Sequence, residues 1–314
     1  YIFWVDKDRM AAGTILSFLL AVSVCLVPAT QAWLKRGEGN NFKAVVWYHF
    51  PKTGGTTMRG IVHQFCKNRQ YNMTGNYDVS TPFGRKTNHE TRHRGTAPHF
   101  IYGHGDADFS RYAQYSSSTA NELYVFMVRN PLPWMLSRHQ HHLRKRDDGQ
   151  SLLQSVVDFG HEYFTFLDPA TRNLSVAYFK SCIRNEVSNV KLEVTGGADA
   201  VHNLVDWRWE SSPAGVVAAL EKLLFQRPRA DVVVLVQDHY AESLSILDHV
   251  FATTHFSTSS GYRHNTAREG QDRGVSLATV EELRAVNRLL EVHQAIYHLC
   301  LEYFLRYYHD FRVA

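Results

Sequence analysis

The chain has 314 residues, of which 44% are apolar or aromatic, and a formal net charge of +4 with its 18 histidines neutral. That length suits one large α/β domain or two small ones, and the apolar share is ample for a sizeable core. The modest charge excludes the strongly basic signature of a nucleic-acid binder, so no nucleic-acid partner is expected, yet it allows a local basic surface for an anionic substrate.

Met10 to Leu34 contains no charged residue, and Ala11 to Val27 is a nearly continuous apolar run. About 20 such residues cross a bilayer. Residues 1–10 therefore read as an N-terminal segment and 11–34 as a type II transmembrane signal anchor. The alternative is a signal peptide starting at Met10 and cleaved at Thr30-Gln31-Ala32. Lys7 and Arg9 precede the run, offset by Asp6 and Asp8, while Lys35 and Arg36 follow it, so the charges do not set an orientation. Either reading sends the rest of the chain into the secretory pathway. Glycosylation sequons at Asn72 (Asn72-Met73-Thr74) and Asn173 (Asn173-Leu174-Ser175) agree with that. Residues 35–43 read as a short polar stem and 44–314 as one folded domain. Cys25 lies in the leader, so Cys66, Cys182 and Cys300 allow at most one disulfide, and none has metal-ligand spacing.

Ala44 to Phe50 is short, apolar and rich in β-formers, which predicts a buried strand ended by Pro51-Lys52-Thr53-Gly54-Gly55. A helix is predicted from Thr56 to Lys67. Adjacent glycines let the backbone turn sharply and approach a ligand. The free N–H groups of a helix start, the Lys52 charge and the hydroxyls of Thr53, Thr56 and Thr57 together suit a phosphate or sulfate group. An ordinary strand-to-helix turn fits the same residues. The lysine precedes the glycines, so this is not a Walker A loop, and a nucleoside triphosphatase is disfavoured.

Tyr71 to Pro98 is polar and aperiodic, and its run Arg85 to Arg94 reads as a solvated loop or as a basic lip for an acidic polysaccharide. Strands are predicted at His99–Gly103, Leu123–Val128 and Asp231–Gln237. Helices are predicted at 132–146, at several places in 150–225, at 240–250 and, long and amphipathic, at 279–308. Thr279-Val280-Glu281-Glu282 offers that last helix a capping box, and Leu283, Val286, Leu290, Ile296, Leu299 and Leu305 its core stripe. Pro131 suits a first helical turn, where its missing N–H has no partner to lose. His139, His141 and His142 lie on a helix with no acidic or cysteine partner nearby. They read as a solvated or substrate-facing surface, and no metal site is expected.

Strands alternating with helices predict a P-loop-like parallel sheet flanked by helices, in which ligands bind beyond the carboxyl ends of the strands. The Lys52–Thr57 turn, His104 and Arg129 each follow a predicted strand. His104 can act as a base, because imidazole titrates near neutral pH, or can satisfy local turn hydrogen bonds. Arg129 can fork onto phosphate oxygens or form a surface ion pair.

The string His49-Phe50-Pro51-Lys52-Thr53-Gly54-Gly55-Thr56-Thr57 closely resembles the 5′-phosphosulfate loop of the Golgi carbohydrate sulfotransferases, in particular the heparan sulfate 2-O-, uronyl 2-O- and 6-O-sulfotransferase group. Their donor is 3′-phosphoadenylyl sulfate (PAPS). The resemblance implies the sulfotransferase fold with an N-terminal transmembrane helix, Lys52 stabilising the leaving group, and the backbone of Thr53, Gly54, Gly55, Thr56 and Thr57 cradling the phosphosulfate. Tyr102-Gly103-His104 is similar to a His-Gly-His element of the 2-O enzymes, with Tyr102 in place of the first histidine, which makes His104 the implied general base. Ala107-Asp108-Phe109 resembles the Ala-Asp-Trp of the 6-O enzymes, with Asp106 where their histidine stands. Arg129-Asn130-Pro131 with Ser137 resembles the 3′-phosphate site, with Asn130 for the usual Asp. Arg263, Asn265 and Arg268 resemble a basic loop that closes over the nucleotide. Tyr297 to Phe311 resembles the aromatic-rich final helix.

The function implied is transfer of a sulfuryl group from PAPS to a hydroxyl of a glycosaminoglycan-like polysaccharide by a single-pass Golgi membrane enzyme with a lumenal catalytic domain and no metal. The alternative is a non-catalytic glycan-binding protein that keeps the fold. A small-molecule or nucleotide kinase is disfavoured by the missing Walker order.

Overall fold

The computed structural model describes residues 33–49, 53, 55–76, 98–104, 121–146, 151–167, 169–195, 213–225, 232–259 and 280–313. Five parallel strands form its centre: β1 (Ala44–His49), β2 (Asn72–Asn76), β3 (His99–His104), β4 (Glu122–Val128) and β5 (Val232–Val236), in the order β2-β3-β1-β4-β5. Four of the five were predicted. β2 was not, because Asn72-Met73-Thr74-Gly75-Asn76 has no apolar alternation; it is an edge strand made by pairing with β3 from Asn72↔His99 to Asn76↔Gly103.

The helices are α1 (Gly55–Arg69), α2 (Pro131–Arg146), α3 (Leu152–Phe159), α4 (Pro169–Thr195), α5 (Pro213–Phe225), α6 (Tyr240–Val250), a short α7 (His255–Thr258), α8 (Val280–Leu289) and α9 (Glu291–Val313). The chain leaves β1 toward β2 on one side and later leaves β4 toward β5 on the other. Right-handed crossovers then place the connecting helices on opposite faces. Ring contacts agree. Phe65 of α1 meets Phe100 of β3 at 6.3 Å, Phe251 at 5.1 Å and Phe256 at 4.8 Å on one face. Phe166, from the β4–β5 connection, meets Phe126 of β4 at 4.9 Å on the other. Burial on both faces explains why β5 reads as an unbroken apolar run. Each fully buried aromatic of this kind contributes about 2–3 kcal/mol.

α1 ends on a residue in the left-handed region. Gln70 takes the left-handed conformation (φ 57°), and Tyr71 N–H reaches back to the Cys66 carbonyl at 3.0 Å.

Three expectations change. The long final helix is interrupted at Leu290, giving α8 and α9. Within its predicted stripe Val286, Leu290, Ile296 and Leu299 are buried, but Leu283 and Leu305 are exposed because they lie on the outer flank of their helices. The predicted stem packs on the domain: Gly39 is buried against Val250 and Phe251, and Asn40 Nδ2 donates to the Phe251 carbonyl at 3.0 Å.

Residues 1–32 lie outside the described ones, and with them nearly all of the expected anchor. Trp33 and Leu34, its last two positions, are described. The Trp33 ring stacks on Tyr307 at 5.1 Å and its indole N–H donates to Asp310, while the Leu34 carbonyl accepts from Tyr307 Oη at 3.1 Å. Among the described residues no helix is long and apolar enough to cross a membrane. Cys66, Cys182 and Cys300 are free thiols.

Candidate functional site

The sheet order places β1 between β3 and β4, so the chain reverses its direction of travel there, the switch point at which open parallel sheets bind ligands beyond the strands' carboxyl ends. Two predicted site residues, His104 and Arg129, converge on this edge by register. His104 ends β3 and is paired with His49, the last residue of β1. Tyr48 is paired with Phe126, two residues before β4 ends, and Arg129 follows directly. β1 ends at the same edge, at His49, and α1 begins at Gly55.

Within that loop Thr53 is buried and Thr57 of α1 is half-buried. Tyr240 Oη donates to Met58 Sδ at 3.0 Å and so ties the first turn of α1 to α6. Lys52, Gly54, Arg263, Asn265 and Arg268 lie outside the described residues, as do Asp106 to Phe109.

The Arg129 side of the edge is built from more distant pieces. Asn130 caps α2: its Oδ1 accepts from Leu132 N–H at 3.3 Å and its carbonyl from Trp134 N–H at 3.0 Å. Pro131 occupies the first helical position, as predicted. The Arg129 carbonyl accepts from Tyr163 Oη at 2.8 Å, and Asn130 N–H donates to Asp238 Oδ2 at 2.9 Å. Tyr297 of α9 donates its hydroxyl to the same oxygen at 3.1 Å. Burial pushes the Arg129 guanidinium below its usual range, and the Asp238 charge acts against that shift. Ser137 is half-buried, about two turns along α2.

Beneath this region lies His293, fully buried among Trp134, Tyr163, Phe164 and Phe179, with ring distances between 4.5 and 6.5 Å. Its Nε2 is 3.0 Å from the Gly160 carbonyl, and its Nδ1 has no partner. Burial pushes its pKa down to about 3 against the pull of that hydrogen bond, so the ring stays neutral. Gly160 has no room for a side chain, since a Cβ would stand 2.1 Å from the Phe179 ring.

His139 and His142 are not the solvated face expected of them. Both are buried against α3, His139 sharing a hydrogen bond with Ser155 Oγ at 2.8 Å and His142 packing on Phe159 at 5.0 Å. Arg138 beside them lies over the same ring at 4.1 Å and holds Glu162 through two bonds of 2.7 Å. Tyr102, in the position of the missing first histidine, is a core residue against Trp47 at 6.1 Å. Of the sequon residues, Asn72 opens the edge strand β2. Asn173 is exposed on α4, while Ser175 is buried and bonds the Thr171 carbonyl at 2.8 Å.

Sequence reasoning missed Asp238, Tyr163 and Tyr297. Asp238 follows the predicted strand β5 and meets the criterion that singled out His104 and Arg129. Nothing in the local sequence marks either tyrosine.

No family model matches the chain, and no curated protein matches it.

Proposed function

We propose that the chain is a PAPS-dependent O-sulfotransferase acting on a hydroxyl of a glycosaminoglycan-like polysaccharide, held in the Golgi membrane with its catalytic domain in the lumen. One observation carries the reading. The Lys52–Thr57 loop leaves β1, His104 ends β3 and Arg129 follows β4, and these three parallel strands are adjacent and in register. The motif resemblance supplies the chemistry, and the sulfotransferase version of the α/β fold is part of the proposal.

In this reading Lys52 and the start of α1 neutralise charge on the departing 5′-phosphate. His104 takes the proton of the acceptor hydroxyl as the new oxygen–sulfur bond forms and the bridging oxygen–sulfur bond breaks. Arg129, with Ser137, holds the 3′-phosphate, and Arg263, Asn265 and Arg268 close over the nucleotide. Asp238 supports the charge of the half-buried Arg129 guanidinium, which keeps it available for an anionic partner.

The test is transfer from radiolabelled PAPS to a panel of defined glycans. The expected result is label on a uronic acid or hexosamine hydroxyl, with Lys52→Ala and His104→Ala each lowering transfer about 10²–10⁴-fold at unchanged melting temperature. Full transfer by His104→Ala would remove that residue as the base. Glycan binding without transfer would favour the non-catalytic alternative.

A further inference from the structure

Arg129 carries the 3′-phosphate contact in the proposed reading, and the groups that hold Arg129 have so far been given no role. The Arg129 carbonyl and the Asn130 N–H belong to one peptide unit. Tyr163 Oη holds the first at 2.8 Å and Asp238 Oδ2 the second at 2.9 Å. A planar peptide fixed at both polar atoms cannot swing, so the backbone angles on either side are set. Asp238 is itself steadied by the Tyr297 hydroxyl at 3.1 Å. Burial, then the nearby Asp238 charge, raises the pKa of Tyr297, which therefore stays a donor. The clamp joins three segments far apart in the chain: the turn before α4, the end of β5 and the first turns of α9.

The motif's usual carboxylate is missing at position 130, and the structure shows a reason for that. Asn130 already has Asp238 on its N–H and uses its own Oδ1 to cap α2. An aspartate there would crowd two like charges at one turn.

We propose that Asp238 is the positioning residue for Arg129. With Tyr163 and Tyr297 it locks the 129–130 peptide so that the guanidinium is aimed at the nucleotide's 3′-phosphate before the nucleotide arrives. Ligand identity rests on the sulfotransferase reading; the clamp rests on the contacts above. Preorganisation of this kind lowers the ordering cost of binding and acts only on the group that Arg129 touches.

The experiment is calorimetric titration of the full chain with adenosine 3′,5′-bisphosphate and with adenosine 5′-phosphate, which differ only in the 3′-phosphate. The ratio of the two affinities isolates that contact. Asp238→Ala should lower the ratio about tenfold and leave the monophosphate affinity unchanged, the size expected for losing an orienting hydrogen bond. Asp238→Asn keeps an acceptor oxygen and should restore the ratio to within about threefold of the parent. Tyr297→Phe should lower it about threefold, and it decides the matter if Asp238→Ala does not fold. An unchanged ratio in Tyr297→Phe and in any folded Asp238→Ala would overturn the role of Asp238. So would Asp238→Asn as deficient as Asp238→Ala. A parent protein that shows no preference for the bisphosphate would instead sink the sulfotransferase reading, and the clamp's ligand with it.

Discussion

The two halves of the sheet edge are built in opposite ways. The β1 half is local: strand, loop and helix follow one another from Ala44 to Arg69, and the chemistry proposed for it sits in nine consecutive residues, His49 to Thr57. The β4 half is cross-braced: Arg129 and Asn130 depend on Tyr163, Asp238 and Tyr297, and Tyr163 in turn rests on the aromatic layer around His293. A local half can lose a functional side chain without losing its shape. A braced half couples binding to stability, because the same hydrogen bonds serve both. Substitutions at the two halves should therefore behave differently.

The largest contrast is expected at Lys52. Lys52→Ala should remove about two orders of magnitude or more of transfer with no shift in melting temperature. A melting temperature that falls with activity would show that this half is braced too.

The next contrast is with pH. His293 has a folded pKa of about 3, below the usual 6.5 of the unfolded chain. Its contribution is complete above pH 6.5 and is lost as pH falls toward 3, since the unfolded chain takes up a proton that the folded one refuses. Stability should drop by about 1.4 kcal/mol per pH unit across that window from this group. His293→Asn should flatten the slope, read as the difference between the two proteins' denaturant midpoints at pH 7 and pH 5. Equal slopes would mean that the ring is not sealed off.

Tyr163→Phe is smaller and sharper. It removes the hydroxyl from the Arg129 carbonyl and should cost about 1–3 kcal/mol of stability. It should also weaken adenosine 3′,5′-bisphosphate binding in a thermal-shift titration. Loss of stability alone would detach the brace from the ligand.

Smallest is Gln70→Gly, at the left-handed end of α1. It should raise stability by about 0.5–1 kcal/mol in urea unfolding and change neither binding nor transfer.

The same division governs what could be read in advance. The β1 half was legible because contiguous residues carry it: apolar β-formers, a glycine break, then helix formers. The alternation of elements gave the parallel sheet and its carboxyl edge, and β4, β5 and α6 appeared close to their predicted bounds. What was hidden depends on partners distant in the chain. β2 exists because β3 offers it a ladder, not because Asn72 to Asn76 favours a strand. His139 and His142 are polar by type but buried by α3. Tyr163 and Tyr297 look like any core aromatics until the fold carries their hydroxyls to Arg129 and Asp238. Leu283 and Leu305 fit the helical period, yet both are exposed while Val286, Leu290, Ile296 and Leu299 are buried.

Trp33 and Leu34 grip the far end of α9, at Tyr303, Tyr307 and Asp310. The near end of that helix, at Tyr297, touches the braced half of the sheet edge. Tyr297 and Tyr307, ten positions apart on α9, are separated by about 15 Å along the axis. The strand ends that carry His104 and Arg129 therefore lie toward the end of α9 opposite the one that Trp33 packs on.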